Sequence, residues 1–437
     1  MIPLAGYHAL LYENARKHHS IHSWHVNLKE ESSMSHIKKY FLALAALSVL
    51  IGSGTALADV KVGFLAGFTG PLKSLAPGMY KGAKLAAKHV NDQGGILDGQ
   101  QIIMPSGDST CSDVTAAADA AAHLVQDENV LAIVGPLCSG AAIAIYKNVT
   151  IPAGITVVSP SATSPAITSL DDGDLVFRTS PSDVYQGSIM ARLLLSKGIK
   201  HIVITYVDND WGKGISAELS SAFEAAGGKV AGNMAHEEGK TDYSDVVRSL
   251  SASGVDTLVV LAYANGSGQT ILRQAVESGA FDQFVGGDGM ASNTLVAAIG
   301  SDKLRGMIVT KPGAPDSTGS RVFKKYAWGS NLNPAGAFVG QSYDAAFLLA
   351  LAIEKNGNAD RAGIAQALRS VATPPGEVIL PGEWAKAKAL IKAGQAINYE
   401  GATGSLDFDA AGDVSGVIIE MGVNVREGSF IEFGQIK

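Results

Sequence analysis

Residues 60–91 have the sequence VKVGFLAGFTGPLKSLAPGMYKGAKLAAKHVN. The first seven residues are nearly all apolar, which is typical of a strand that is buried on both faces. Residues 78–91 then predict a helix, and its apolar face is formed by Ala83, Ala86, Ala87 and Val90. A buried strand that leads into an amphipathic helix is the repeating unit of parallel α/β sheets. This segment therefore predicts an α/β fold.

The same alternation continues along the chain in two series. The first series adds strands at 101–104, 130–134 and 155–159 and a helix over 114–125. The second series begins after Arg178 and predicts strands at 201–207, 229–232, 257–262, 284–285 and 307–311, with helices at 214–226, 243–252, 269–279 and 291–299. Each series predicts a mostly parallel sheet with helices on both faces.

The C-terminal part departs from this alternation. Three helical stretches are predicted at 320–329, 338–355 and 361–371. The tail at 404–433 alternates apolar and polar residues around Gly412-Asp413, which predicts a hairpin with its turn at those two residues.

Residues 34–58 have the features of a secretory signal. Lys38 and Lys39 precede an apolar run at 40–50, and the small-residue site 56–58 (Ala-Leu-Ala) follows. The run is shorter than the about 20 residues that a membrane span needs. We expect cleavage before Asp59 and a location in the periplasm.

Residues 1–33 contain a histidine cluster: His18, His19, His22 and His25. Imidazoles at this spacing share a helix face and could bind a metal. Alternatively, translation starts at Met34, or the segment is removed with the signal. We favour this second interpretation, because the cluster has no acidic or Cys partner.

Charge and cysteine content narrow the class of protein. The first 58 residues hold five of the 34 Lys and Arg and three of the 41 Asp and Glu, so the remaining 379 residues carry a net charge of −9. The exported part contains no run of basic residues of the kind that would indicate nucleic acid or an anionic membrane as partner. Cys111 and Cys138 lie in the exported part, where a disulfide, worth about 3.5 kcal/mol, is favoured over a reactive thiol.

The exported sequence contains almost none of the sequence motifs that are typical of enzymes. It contains no G-x-S-x-G, no H-E-x-x-H and no P-loop lysine. Residues 212–217 (GKGISA) match a dinucleotide-binding turn, but a tight turn before a helix explains the glycines equally well. We therefore predict neither an enzyme nor a cofactor.

Polar and aromatic side chains follow the ends of several predicted strands. Ser139 and Thr163 belong to the first series, and Trp211, Tyr263 and Asp288 belong to the second. Each has an ordinary alternative: Ser139 could cap its own helix, Thr163 could lie in a Ser/Pro turn, and Asp288 could be a turn residue. Together they suit a zwitterion, because hydroxyls can hold a carboxylate and an acid can hold an ammonium.

The exported chain resembles the type I periplasmic binding proteins of ABC importers, and most closely their leucine/isoleucine/valine-binding branch. The resemblance rests on seven segments: KVGFLAGFTGP (61–71), NDQGG (91–95), Cys111, GPLCS (135–139), SPSATSP (159–165), DNDWGKG (208–214) and YDA (343–345). It implies two doubly wound parallel-sheet lobes joined by a hinge, in the arrangement known as a Venus flytrap. The lobes would comprise 59–179 with 312–400 and 180–311 with 401–437, with hinges near Thr179, Lys311 and Gly401.

The resemblance also implies a set of site residues. Ser139 and Thr163 would hold the ligand carboxylate, and Cys111 would pair with Cys138. The Ser161 carbonyl in the turn with Ala162 would face the ammonium together with Asp288, while Trp211 and Tyr263 would line the second lobe. The chain departs from the family at 72–77 (LKSLAP), where relatives have an aromatic in the pocket wall, and 374–399 looks inserted.

These observations predict an extracytoplasmic solute receptor of an ABC importer. It would bind an amino acid, branched-chain or similar, and deliver it to a membrane permease. The receptor itself would be a monomer and would contain no metal. Two alternatives stay open: a ligand that is an amide, urea or aromatic carboxylate, and a role as a periplasmic sensor.

Overall fold

The computed structural model describes residues 58–436. The predictions of a signal at 34–58 and of an extension at 1–33 lie outside these residues, except for Ala58. Among the helices of 58–436, none is long and apolar enough to cross a membrane.

The first sheet is formed by six parallel strands from the first series. Five of them lie side by side in the order β2 (Ile102–Ile103), β1 (Val60–Ala66), β4 (Ala132–Val134), β5 (Thr156–Ser159) and β6 (Val176–Arg178). The sixth, β3 (Ser106–Asp108), also pairs with β1. The helices that connect them are α1 (Ala76–Asp92), α2 (Val114–Gln126), α3 (Ser139–Ile145) and α4 (Pro165–Thr168).

The second sheet has seven strands. Five are parallel: β7 (His201–Val207), β8 (Lys229–His236), β9 (Thr257–Leu261), β10 (Gln283–Gly286) and β11 (Ile308–Pro312). Its helices are α5 (Asp183–Ser196), α6 (Asp210–Ala225), α7 (Ser244–Ser251), α8 (Ser267–Ser278) and α9 (Asn293–Ile299). The sequence-based prediction of two doubly wound α/β sheets is thus confirmed.

The chain then returns to the first sheet with four helices and a small third sheet. The helices are α10 (Thr318–Gly329), α11 (Val339–Asn356), α12 (Ile364–Ala372) and α13 (Trp384–Lys392), and the sheet contains β12 (Glu377–Ile379), β13 (Ile397–Gly401) and β14 (Gly404–Ser405). Helix α11 packs closely along α1, where a Cβ on Gly82 would lie 2.5 Å from the Val339 carbonyl oxygen. Only glycine permits this approach of the two backbones.

The segment that looked inserted, 374–399, is tied to the end of α1. The buried indole of Trp384 donates from Nε1 to the carbonyl oxygen of Gly95 at 3.1 Å, and Lys388 Nζ donates to the same oxygen at 2.8 Å. These bonds satisfy a carbonyl just beyond the helix C-terminus, where backbone acceptors lack intrahelical partners. The segment therefore fastens the outer edge of the first lobe.

The predicted hairpin around Gly412-Asp413 is wrong. The hairpin is formed by β15 (Ile418–Asn424) and β16 (Ser429–Gln435), which pair antiparallel at the edge of the second sheet. Gly412 instead accepts a hydrogen bond from the Arg178 backbone at 3.0 Å, and the Asp413 carboxylate receives the Arg178 guanidinium at 2.5 and 2.6 Å. The need of a buried arginine for an anion explains why this turn lies against β6.

Three segments connect the two large sheets: 179–182, 313–317 and 406–417. Near them, Thr179 Oγ1 donates to the Gln341 carbonyl at 2.9 Å, and the buried Asp344 carboxylate accepts from the Ala402 and Thr403 backbone at 2.7 and 2.9 Å. The residue limits of the lobes and the hinge positions given above stay predictions.

Candidate functional site

A cavity lies between the two large sheets. Both lobes form its wall, at the carboxyl ends of their strands, which is where ligands bind in open α/β sheets. The lining residues are Leu72, Leu75, Met79, Leu137, Cys138, Ser139, Ser161 and Phe338 from one lobe and Trp211, Tyr263, Asp288 and Gly289 from the other. Five of the seven predicted ligand-binding residues therefore meet in one place.

Ser139 is the first residue of α3 and lines the cavity. The alternative that Ser139 caps its own helix does not hold, because Cys138 occupies the N-cap position. The Oγ of Ser139 accepts from the Ser164 backbone N–H at 3.2 Å. The disulfide of Cys111 with Cys138, which was predicted, joins Cα atoms 5.4 Å apart and holds the start of α3 in place. The hydroxyl proton of Ser139 is thus available to an acceptor in the cavity.

The turn 159–165 packs on the loop before α3. Ser161 lines the cavity, although its hydroxyl donates to the Leu137 carbonyl at 3.0 Å. Ala162 and Thr163 are buried behind it and are absent from the cavity wall. Within the described chain, the Thr163 hydroxyl has no hydrogen-bond partner, while its carbonyl accepts from Asp183 at 2.9 Å. Of these three residues, only Ser161 lies at the cavity wall, and the ligand contacts of all three stay predictions.

Two aromatic side chains form the wall on the second lobe. The rings of Trp211 and Tyr263 stack with their centroids 5.1 Å apart and their planes inclined by 20°. Asn209 caps α6 and donates to the Tyr263 hydroxyl at 2.9 Å, which fixes the ring. Both aromatics were predicted, and together they give the cavity a flat apolar side.

Asp288 follows β10 and lines the cavity while only 4% exposed. Gln186 Nε2 donates to its Oδ1 at 3.2 Å and also to the Thr310 carbonyl at 3.3 Å, so that Gln186 orients the carboxylate. Burial raises the pKa of Asp288 to about 6. A cation beside this carboxylate would offset the cost of its desolvation.

A second buried acid, Asp183, was missed in the sequence. It begins α5, is fully buried, and both of its carboxylate oxygens are without hydrogen-bond partners among the described residues. Burial and then the negative charge of Asp288 raise the pKa of Asp183 well above its usual range. An acid in the first turn of a helix is common, because its negative charge interacts favourably with the helix dipole. The one available signal was that Asp183 follows closely after Thr179, a predicted hinge.

The remaining wall is apolar. Leu72 and Leu75 come from the segment that departs from the family pattern, and Met79, Leu137 and Phe338 complete the surface. The sequence indicated an altered wall at 72–77 but gave no sign of Phe338, which lies far away in the chain. This surface has no polar group that would pair with a charged ligand side chain.

The glycines of 212–217, which match a dinucleotide-binding turn, have a structural explanation. Gly212 lies against the end of β7, with a virtual Cβ 2.1 Å from the Val207 carbonyl oxygen, and Gly214 lies against the Pro165 ring of the other lobe. The start of α6 is thus occupied by protein. Within residues 58–436, no group of three or more His, Cys, Asp or Glu side chains is arranged to hold a metal.

Comparisons with known proteins agree with this geometry. Residues 59–395 match the family described as Periplasmic binding protein. The chemotactic signal transduction system substrate-binding protein BasB of Halobacterium salinarum is 30% identical over 84% of this chain and 89% of its own length.

Two further relatives are named for amino acids. The leucine-, isoleucine-, valine-, threonine-, and alanine-binding protein of Pseudomonas aeruginosa is 29% identical over 86% of this chain and 93% of its own length. Among solved structures, LivJ of Streptococcus pneumoniae in complex with isoleucine is 26% identical, with a TM-score of 0.69 over 86% of this chain and 99% of that one.

Proposed function

The chain belongs to the periplasmic binding protein family, in the branch of the Leu/Ile/Val-binding proteins, and we propose from this that it captures an aliphatic α-amino acid between its lobes for delivery to the membrane permease of an ABC importer. It would work outside the cytoplasm as a monomer. The observation that carries the proposal is the buried Asp288 at the wall of an otherwise largely apolar cavity.

The acidic side of the cavity supports a ligand with an ammonium group. Two buried carboxyls, Asp183 and Asp288, lie on the same lobe. Arg178 is the cation that influences Asp183, but its guanidinium forms hydrogen bonds with the carboxylate of Asp413. A ligand without a cationic group would leave Asp288 buried without a partner of opposite charge, at a cost of about 1–3 kcal/mol or more. This argues against an amide, urea or aromatic carboxylate.

The opposite side of the cavity supports a carboxylate and an aliphatic side chain. Ser139 can donate to an anion, and the backbone N–H groups in the first turn of α3 lack intrahelical acceptors. Leu72, Leu75 and Phe338 then face whatever the ligand carries beyond its Cα. A charged side chain would be desolvated there without a partner, so leucine, isoleucine and valine fit the surface best.

A sensory role is the second candidate, and one comparison favours it. The relative from Halobacterium salinarum is named as part of a chemotactic signal transduction system. Both roles use the same binding step, and they differ in the membrane protein that contacts the closed lobes.

A thermal-shift screen tests the proposed ligand class. We expect L-leucine, L-isoleucine and L-valine to raise the melting temperature, since a ligand at about 100 times its Kd stabilises the folded state by about 2.7 kcal/mol. Benzoate, urea and acetamide serve as matched probes that lack an ammonium. If benzoate stabilises the protein and none of the amino acids does, the proposed function is wrong.

The affinity for L-leucine should depend on pH. The pKa of Asp288 is raised to about 6 by burial, so the free protein takes up a proton there as the pH falls through that value. Protonation removes the anion that pairs with the ligand ammonium, and the affinity should fall by up to about tenfold per pH unit below 6. Calorimetric titrations between pH 5 and 8 measure this slope.

The matched control for the pH series is Asp288→Asn, which cannot titrate at that position. Any residual binding by this variant should lose most of the slope below pH 6. An equal slope in both proteins would show that Asp288 is not the group that controls affinity.

A further inference from the structure

Loop 70–75 contacts the second lobe directly, beside the cavity. The backbone N–H of Ser74 donates to Asn265 Oδ1 at 3.3 Å, and the hydroxyls of Ser74 and Ser292 lie 3.0 Å apart. The Asn265 backbone N–H donates to the Pro71 carbonyl at 3.2 Å. These three hydrogen bonds join different lobes.

The partners on the second lobe are held in position by one another. Asn265 Nδ2 donates to Thr294 Oγ1 at 2.9 Å, and the Thr294 hydroxyl lies 2.9 Å from that of Ser292. This network leaves Asn265 Oδ1 free to accept from the first lobe. It presents a preorganised polar surface to Ser74, so little side-chain entropy is lost when the lobes meet.

The position of this contact relates it to the cavity. Leu75, next to Ser74, and Tyr263, two residues before Asn265, both line the cavity wall. Ser74 and Asn265 are themselves partly exposed, so they lie between the cavity and solvent. A ligand that leaves at this edge must wait until the bonds between these residues break.

We propose that Ser74 and Asn265, with Pro71 and Ser292, form a latch that holds the lobes closed and slows the release of the ligand. The inference rests on the proposed function, because it requires a ligand to be retained. The latch residues make no contact with the cavity, so they set the lifetime of the closed state for all ligands alike. Selectivity stays with the cavity wall.

Ligand release measured by the fluorescence of Trp211 tests the latch, with L-leucine and L-isoleucine as probes. Asn265→Ala removes the acceptor for Ser74, and we expect dissociation about fivefold to tenfold faster, as for the loss of one or two hydrogen bonds. The ratio of the two amino-acid affinities should not change. Asn233→Ala is the control, since it removes side-chain bonds to Ser216 and Ser220 within one lobe.

The outcomes separate the latch from the receptor function. If Asn265→Ala releases the probes at the rate of Asn233→Ala, the latch is wrong while the function stands. If the unmodified protein binds neither probe nor L-valine, the function is wrong. In that case, the cross-linking experiment described next decides whether the latch exists.

Cross-linking of the Ser74→Cys/Ser292→Cys protein tests the latch without reference to any ligand. The two hydroxyl oxygens are close enough for sulfur atoms at these positions to bond when the lobes are closed. We expect a new disulfide under mild oxidation, and none in Ser74→Cys/Ser196→Cys, where the second cysteine lies at the far end of α5. Equal yields, or no cross-link in either protein, would overturn the proposal.

Discussion

Asp288→Asn is expected to raise the Kd for L-leucine by at least about thirtyfold. The substitution keeps the size of the side chain and its contact with Gln186 but removes the negative charge. Removing one member of a buried charge pair costs about 2–5 kcal/mol, because the other charge is left desolvated without a partner. Isothermal titration calorimetry at pH 7.5, where the wild-type carboxyl is ionised, measures the change.

Trp211→Ala provides the contrast for this experiment. Trp211 forms the flat apolar side of the cavity together with Tyr263, so its loss should change the order of preference among leucine, isoleucine and valine. It should leave the requirement for an α-ammonium unchanged. If Asp288→Asn binds L-leucine with wild-type affinity, the acidic side of the cavity does not hold the ammonium.

The second large effect concerns stability. Asp413→Ala should lower the free energy of unfolding by about 3–5 kcal/mol, because it leaves the fully buried Arg178 guanidinium without its anion. Arg178 also donates to the carbonyls of Ala162 and Ser164, at 3.3 and 3.0 Å, so the turn that carries Ser161 should loosen as well. Urea denaturation monitored by circular dichroism gives the first value, and L-leucine affinity tests the second.

Asp316→Ala is the matched control for Asp413→Ala. Asp316 forms an ion pair with Arg321 at 2.7 Å, but both side chains are largely exposed. Exposed pairs contribute about 0–1 kcal/mol, so this variant should unfold close to the wild-type urea midpoint. Equal losses in the two variants would mean that burial of Arg178 does not determine the effect.

The fold was largely predictable because its strands are buried on both faces. Continuous apolar runs such as 201–207 have few alternatives in an exported α/β chain, and the strand there has the predicted limits. The hairpin was misplaced for a physical reason. Gly412-Asp413 has the composition of a turn, but its aspartate serves a buried arginine more than 230 positions earlier in the chain.

The composition of the cavity wall was predictable where strand ends carry unusual residues, as at Ser139, Trp211 and Asp288. It was not predictable where a residue has an ordinary local explanation. Asp183 resembles any acid that begins a helix, and its importance comes from burial beside a second acid. Phe338 reaches the cavity through tertiary packing, which no local pattern reveals.

The division of polar groups between the lobes has a pharmacological consequence. The hydroxyl of Ser139 lies on one lobe and the carboxylate of Asp288 on the other, and in the proposed function each recognises a different end of the same molecule. A fragment with only one end, such as isocaproate or isoamylamine, would occupy a single lobe without drawing the second one in. Such fragments would act as competitive inhibitors of amino-acid binding. A compound that joined both ends through a longer spacer would hold the two lobes apart.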